Sequence, residues 1–336
     1  MLTHHILDAA GQTWPPFVLV AGLLMVGAVA AGDGLFGAVG ARIGRLRVGG
    51  TALLVALLGL DACVTAVLNL DTAVVFLTPV LVHAARSRRL REEPFLYGAV
   101  LTANSASTLL PGSNLTNLLV LDGGAPGGGS FAVRMLPAWL VSCALTAVVL
   151  AVALPAGRGR RDDAPPPPLR LGVGVLATAA SAVAVVALRQ PALPVLAIGI
   201  AACLLRRLRP QLDLRVPAGL FVLAVALGVV GRSWHFPAHL LADSGRWATG
   251  GIAAGASVVL NNLPAAVLLS AVPPPHPTAL LLGLDLGPNL AVTGSLSAFL
   301  WLQAARSVGA RPSLLRYSLL GVILVPLTLA ASLAVT

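Results

Sequence analysis

The chain has 336 residues, of which 57% are hydrophobic and only 10% charged, with a mean hydropathy of +0.91. A soluble chain carries about 25% charged residues, so the composition excludes a soluble domain and indicates a polytopic membrane protein. The net charge of +10 comes entirely from Arg, and the 22 Arg sit in short loops between apolar spans, where membrane topology explains them and nucleic acid does not.

Residues 1–15 hold no basic stretch ahead of an apolar run, so no cleavable signal peptide is expected. Trp14-Pro15-Pro16 leads directly into a span over 17–31. The next apolar stretch, 53–85, is too long for one span and is interrupted at Asn69-Leu70-Asp71. Its arms would reach about 24 and 20 Å, short of a hydrocarbon core about 30 Å thick. Arg42, Arg45 and Arg47 precede it, and Arg86, Arg88, Arg89 and Arg91 follow it. Positive charge marks the cytoplasmic side, so the stretch enters and leaves on one side, as a re-entrant hairpin.

A span over 95–121 follows, broken near Pro111-Gly112, and then a Gly/Pro-rich external loop over 122–130. The span 135–154 returns to an Arg- and Pro-rich cytoplasmic linker, 158–170. Spans over 171–188, 194–205 and 216–230 come next, and 234–246 lies at the outer interface with Trp234 as anchor. A second hairpin covers 247–272 with its tip at Asn261-Asn262-Leu263-Pro264. A span over 278–304 is broken between Asp285 and Ser295, and 314–334 is the last.

The expected architecture is all-α: an N-terminal repeat over 1–157, the linker, and a C-terminal repeat over 171–336. The termini fall outside a cell membrane that the chain crosses many times. Only Arg134, Arg189, Arg232 and Arg246 are then left off the cytoplasmic side. The halves also align directly. Residues 103–115 and 284–296 match without gaps, so that Asn104 meets Asp285, Thr108 meets Asn289 and Asn114 meets Ser295. The two broken spans run in opposite directions, which makes an inverted-topology repeat, each half with a re-entrant hairpin and a broken helix.

Paired interruptions in two such halves are the best sequence pointer to a transporter's substrate site. Polar groups at membrane depth are costly unless they line a cavity or bind something. The candidate substrate-binding residues are Asn69, Ser113, Asn114, Asn262 and Ser295, with Asn261 at the same tip as Asn262. Their amides and hydroxyls both donate and accept, which suits a neutral polyhydroxyl solute or an ion. Taken singly, each also suits a capping role on a broken helix; the matched pair of clusters is what favours a site.

Asp71 and Asp285 are the carboxylates nearest the broken elements and the candidates for carrying a transported proton, with capping of hairpin N–H groups as the alternative. Asp61, mid-arm, is either a second proton site or the partner of an Arg, and Asp33 is interfacial. Cys63, Cys143 and Cys203 read as small buried hydrophobes rather than soft metalloid ligands. His83, His235, His239 and His276 are not spaced as a metal set. No Ser-His-Asp constellation, P-loop or dinucleotide fingerprint occurs, so the expectation is a transporter with no catalytic residue, no cofactor and no resident metal.

At these residues the chain resembles the arsenical pump membrane proteins, the arsenite/antimonite efflux permeases of the ion transporter superfamily. The likeness rests on Asn69-Leu70-Asp71-Thr72 through Leu77-Thr78-Pro79, then Pro111-Gly112-Ser113-Asn114-Leu115-Thr116-Asn117. In the second half it rests on Asn261-Asn262-Leu263-Pro264, Gly283-Leu284-Asp285-Leu286-Gly287-Pro288, Gly294-Ser295-Leu296 and Leu300-Trp301-Leu302. The resemblance implies an elevator-type transport domain of hairpins and broken helices that moves against a scaffold. It also implies export of trivalent arsenic or antimony hydroxides in exchange for protons, a homodimer, and in some members a separate ATPase subunit. It adds Asn117 to the site and keeps Asn69, Asp71, Ser113, Asn114, Asn262, Asp285 and Ser295. The family usually places further spans ahead of the one that opens this chain, and the paired Ser-Asn-Thr signature of the sodium/dicarboxylate branch is absent. Two other readings stand beside arsenite efflux. One is a sodium-coupled organic-anion transporter or sodium/proton antiporter of the same fold. The other is a membrane subunit that transports nothing without a partner.

Overall fold

A computed structural model describes residues 2–121, 128–158, 172–188, 190–209, 219, 221–223, 225–227, 229, 234 and 236–336. The linker expected at 158–170 lies, past its first residue, outside them, as do most of the loop 122–130 and part of the span 216–230. The described residues form helices and their connections, with no strand. Three helices among them are long and apolar enough to cross a membrane: Gly50–Val67, Gly128–Ala153 and Leu314–Val335. Phe17–Gly32 with Leu35–Gly44 makes a fourth across a 60° bend.

α1 (Leu2–Gly32) turns at the left-handed Gly34 into α2 (Leu35–Gly44). α3 (Gly50–Val67) and α4 (Leu70–Ser87) form the first hairpin. α3 has 18 residues, so this arm spans about 27 Å and is longer than the apolar stretch suggests. The hairpin turns at Asn69 because its backbone leaves the helical region while its side chain accepts from Thr72 N at 2.7 Å, capping α4. α5 (Glu93–Ala106), a 3₁₀ turn at Pro111–Ser113 and α6 (Leu115–Leu121) make the first broken helix. α7 (Gly128–Ala153) closes this half.

α8 (Val173–Ala187) and α9 (Ala192–Leu205) pack on α1. Arg206 pairs with the buried Asp33 at 2.6 Å, and Asp33 also accepts from Gly174 N at 2.8 Å. After α10 (Phe236–Ala242) the pattern of the first half returns. α11 (Arg246–Leu260) and α12 (Asn262–Leu269) form the second hairpin. α13 (Pro277–Leu286), 3₁₀ turns at Gly287–Leu290 and Val292–Gly294, and α14 (Leu296–Ser307) form the second broken helix. α15 (Leu314–Val335) is last. Each break falls where Pro removes a helical N–H, at Pro111 and at Pro288.

The two broken helices are the centre of the protein. Every residue from Pro94 to Ala106 on α5, and from Ala279 to Leu286 on α13, is buried. They lie antiparallel. The Trp301 indole on α14 donates to the Leu96 carbonyl near the start of α5, at 2.8 Å, while the start of α6 meets α13 through Asn114 and Asp285. The hairpins flank them in matching fashion: α3 and α4 pack on α5, α11 on α13, α4 on α14 and α12 on α6. α7 and α15, the closing helices of the two halves, pack on each other.

The two ends of this assembly are fastened differently. At one end Tyr97 donates to the Ser313 carbonyl and accepts from Ser313 N, Arg316 pairs with Glu93, and Trp301 sits between Tyr97 and Tyr317 with ring centroids 5.7 and 5.6 Å away. At the other end Val120, Phe131, Met135, Ala279 and Leu280 join one apolar cluster. Large apolar side chains point outward, with Val133 75% and Val152 78% exposed on α7 and Leu315 71% exposed on α15. Such faces suit lipid contact.

Arg88 shows how the first hairpin is tied to its neighbour. It is 4% exposed, and its guanidinium donates to the carbonyls of Gly44, Leu46 and Val48 at 2.7, 3.2 and 3.0 Å. These carbonyls lie at the end of α2 and in the loop after it, and the Leu46 carbonyl also accepts from Val48 N at 2.8 Å. Arg88→Ala is expected to cost about 2–4 kcal/mol, as the loss of several charged hydrogen bonds made by a buried guanidinium, and to raise proteolysis and hydrogen exchange over 44–49. An unchanged melting temperature and exchange pattern would refute this role for Arg88.

Candidate functional site

The polar residues of the two breaks meet in the interior, and each first half-helix reaches the break of the other repeat. On α13, Asp285 is 1% exposed, and its Oδ1 accepts from Asn114 Nδ2 at 2.7 Å and from the Thr116 hydroxyl at 3.1 Å. Its Oδ2 is buried without a partner. On α5, Asn104 donates to Asn289 Oδ1 at 2.8 Å, and its own Oδ1 accepts from the Ser297 hydroxyl at 3.5 Å. Asn289 in turn donates to the Leu101 carbonyl at 3.2 Å and to Ser105 Oγ at 3.4 Å. A carboxylate, amides and hydroxyls thus bridge the two repeats in a region with almost no solvent exposure.

The breaks form this way because their own side chains close them. Ser113 donates to the Leu110 carbonyl at 2.5 Å and accepts from Leu110 N at 2.9 Å, which fixes the first turn. Asn117 donates to the Ser107 carbonyl, which the end of α5 leaves free, at 2.8 Å and to the Leu110 carbonyl of the turn at 3.3 Å. Asn114 Oδ1 accepts from Thr116 N at 3.2 Å at the start of α6. Ser295 accepts from Ala298 N at 3.3 Å at the start of α14 and shares a hydrogen bond with Ser297 at 2.8 Å. Asn114 and Ser295, paired in the alignment of the halves, therefore do the same capping job.

The hairpin tips hold the remaining candidates. Asn69 is 1% exposed; its Oδ1 caps α4 and its Nδ2 is buried without a partner. Asp71, in the first turn of α4, is partly exposed. At the second tip Asn261 has φ +79 and ψ 149, a strained backbone that residues other than Gly rarely adopt. It donates to the Thr293 carbonyl at 3.0 Å and accepts from Leu263 N at 3.3 Å, so this tip is tied to its own repeat's break. Asn262 is 6% exposed on α12. Among the described residues no hydrogen bond joins Asn69, Asp71, Asn261 or Asn262 to the Asp285 network.

Of the residues named from sequence, the geometry brings Asp285 and Asn114 into direct contact, with Asn117 and Ser113 closing the same break, and links Ser295 to Asn104 through Ser297. It adds Asn104, Asn289, Thr116 and Ser297. The gapless match of the halves was the signal for the first two, because it sets Asn104 opposite Asp285 and places Asn289 on the same register. The arrangement can hydrogen-bond a small hydroxylated solute and offers one carboxylate oxygen with unused capacity. Among the described residues no Arg, Lys or His joins the network.

The family model described as "Citrate transporter" (CitMHS) matches residues 5–301. Among solved structures, the chain is similar to the YdaH transporter of Alcanivorax borkumensis, at a TM-score of 0.60 and 13% identity, over 98% of this chain and 86% of that one. At that identity the likeness speaks for the fold. No curated protein matches the sequence. An all-α polytopic membrane fold with antiparallel broken helices and a family match over most of its length establish that this chain belongs to the CitMHS family of transporters.

Proposed function

We propose that this chain is a secondary active transporter of the cell membrane that exports arsenite or antimonite in exchange for protons. The observation that carries the reading is the make-up of the buried network. Asn104, Asn114, Thr116, Asn289 and Ser297 are neutral donors and acceptors, and Asp285 is its one carboxylate. A trivalent arsenic hydroxide is small and uncharged and presents three O–H groups, so it exchanges hydrogen bonds with amides and hydroxyls without needing a counter-charge. Asp285, with Oδ2 unused, takes up the exchanged proton. In this reading the repeats over 1–157 and 171–336 carry the hairpins and broken helices as one moving unit, and Asn69, Asp71, Asn261 and Asn262 meet the solute from the tips.

The family's name favours a second reading, a citrate-like organic anion with sodium or protons as coupling ion. Such an anion would need its charge met by helix N-termini or a co-bound cation, because the network holds no cationic side chain. The readings separate in cells that lack their own arsenite exporter. Expression is expected to raise arsenite resistance and lower retained arsenic, and inverted vesicles should accumulate arsenite when a proton gradient is imposed. Confirmed membrane expression with no change in arsenic, together with sodium- or proton-driven citrate uptake, would overturn the proposal in favour of the second reading.

A further inference from the structure

α3, α5 and α7 meet along one interface, and one level of it is polar. Leu58 on α3 and Leu150 on α7 both lie against Gly98 of α5, where an added Cβ would stand 2.6 Å from Leu58 Cδ2 and 3.6 Å from Leu150 Cδ1. α3 and α5 start on the same side, where Gly50 and Arg91 both meet the segment after α7, so they run parallel and α7 runs against them. One turn further along, helical register sets Asp61 of α3, Thr102 of α5 and Thr146 of α7 on the facing sides, and one turn beyond them Thr65, Ser105 and Ser142. All six are buried, none more than 2% exposed.

Ser105, Thr146 and Ser142 bond one another and the backbone: Ser105 Oγ to Thr146 Oγ1 at 2.9 Å, Thr146 to the Ser142 carbonyl at 2.7 Å and Ser142 to the Ser105 carbonyl at 3.1 Å. The other four oxygens have no partner at all. They are Asp61 Oδ1 and Oδ2, Thr65 Oγ1 and Thr102 Oγ1. Buried helical threonines ordinarily turn the hydroxyl back on the carbonyl four residues earlier, as Thr78, Thr146 and Thr328 do. Thr65 and Thr102 do not.

An isolated buried carboxylate costs several kcal/mol unless its charge is met. The ion pairs among the described residues, Arg86–Glu92, Arg206–Asp33 and Arg316–Glu93, leave Asp61 out. Protonation would answer only part of the problem, because no neighbouring hydroxyl is within hydrogen-bond distance of either carboxylate oxygen, and both Thr oxygens would stay unmet. A cation ligated by these groups would satisfy all four. The donors are one carboxylate and hydroxyls, all hard oxygen ligands of low total charge, which suit a monovalent cation over a transition metal.

We infer that Asp61, Thr65 and Thr102 form a binding site for a sodium-sized monovalent cation, separate from the solute network at Asp285. The site ties the first hairpin to α5 and α7. Ser105, at the edge of the same interface, accepts from Asn289 of the solute network but bonds none of the three site residues. The inference is independent of the cargo.

The test is the thermal stability of the purified full chain in NaCl against choline chloride and KCl at equal ionic strength. Sodium well above its Kd is expected to raise the melting temperature by about 5 °C over choline. The rise should vanish in Asp61→Asn and shrink in the double variant Thr65→Val/Thr102→Val, which keeps the carboxylate and serves if Asp61→Asn does not fold. Asp285→Asn should retain it. No sodium effect on the wild-type chain would overturn the inference. So would an equal effect of potassium, or a sodium effect that survives Asp61→Asn and is lost in Asp285→Asn. None of these results depends on whether arsenite is carried.

Discussion

Replacing Asp285 with Asn is expected to abolish proton-driven exchange while leaving the protein folded and able to bind its solute. The geometry explains why these effects should separate. Asn114 and Thr116 both donate to Oδ1, and a side-chain amide of the same shape can accept both bonds. What the amide cannot do is gain and lose a proton. Asp285→Ala removes the acceptor as well; it leaves the Thr116 hydroxyl buried without a partner, at about 1–3 kcal/mol, and leaves the Asn114 amide only its long bond to Ser107 Oγ at 3.4 Å. The Asn variant should therefore match the wild-type melting temperature within error, and the Ala variant should fall clearly below it. Gradient-driven accumulation in inverted vesicles should drop to background in both. Transport by Asp285→Asn at the wild-type rate and pH dependence would remove Asp285 from the coupling mechanism. Loss of folding in that variant would show instead that the carboxylate's charge holds the repeats together.

Gly321→Ala is expected to be the most damaging Gly-to-Ala change among the described residues. α15 crosses the second break at this glycine, and Tyr317, one turn earlier, donates to the Pro288 carbonyl at 2.9 Å. A Cβ at Gly321 would stand 2.7 Å from both the Asn289 carbonyl carbon and Leu290 Cα, and nearer still to the Asn289 carbonyl oxygen. All three are backbone atoms of a short turn, so no side chain can swing away. Overpacking of this kind costs about 1–3 kcal/mol, and each kcal/mol lowers the melting temperature by about 2–4 °C in a chain of this order of size. The push falls on Asn289, whose side chain bonds Asn104, Leu101 and Ser105. Transport should fall further than stability alone accounts for. A variant with wild-type melting and transport would mean that α15 can lift from the break without disturbing the network.

The fold was legible wherever the chain punctuates an apolar run. Asn69 within 53–85, Asn261-Asn262 within 247–272, Pro111-Gly112 and Gly287-Pro288 are groups that cannot continue a helix in lipid without compensation, so their positions could be read directly. The contact between Asp285 and Asn114 was half visible, since both were named but nothing in either motif says that one break crosses the other. Asn104 and Asn289 became recognisable only once the halves were laid on each other, because a lone Asn in an apolar helix carries no pattern of its own. The level at Asp61, Thr65 and Thr102 was not legible. It exists because three helices from one repeat come into register, and register between helices is set by close approaches such as Leu58 against Gly98, which no spacing along the chain encodes.

The unequal fastening of the two ends bears on energetics. Hydrogen bonds and an ion pair, as at Tyr97, Ser313, Glu93 and Arg316, hold only in one relative placement, whereas the apolar contacts of Val120, Phe131, Met135 and Leu280 survive small slips. An inverted repeat with identical ends would exchange its inward- and outward-open forms by symmetry, at equal free energy. Contacts that hold in one placement favour the arrangement described here, so a form that separated Tyr97 from Ser313 or Glu93 from Arg316 would be populated only when bound solute or ion supplied the difference.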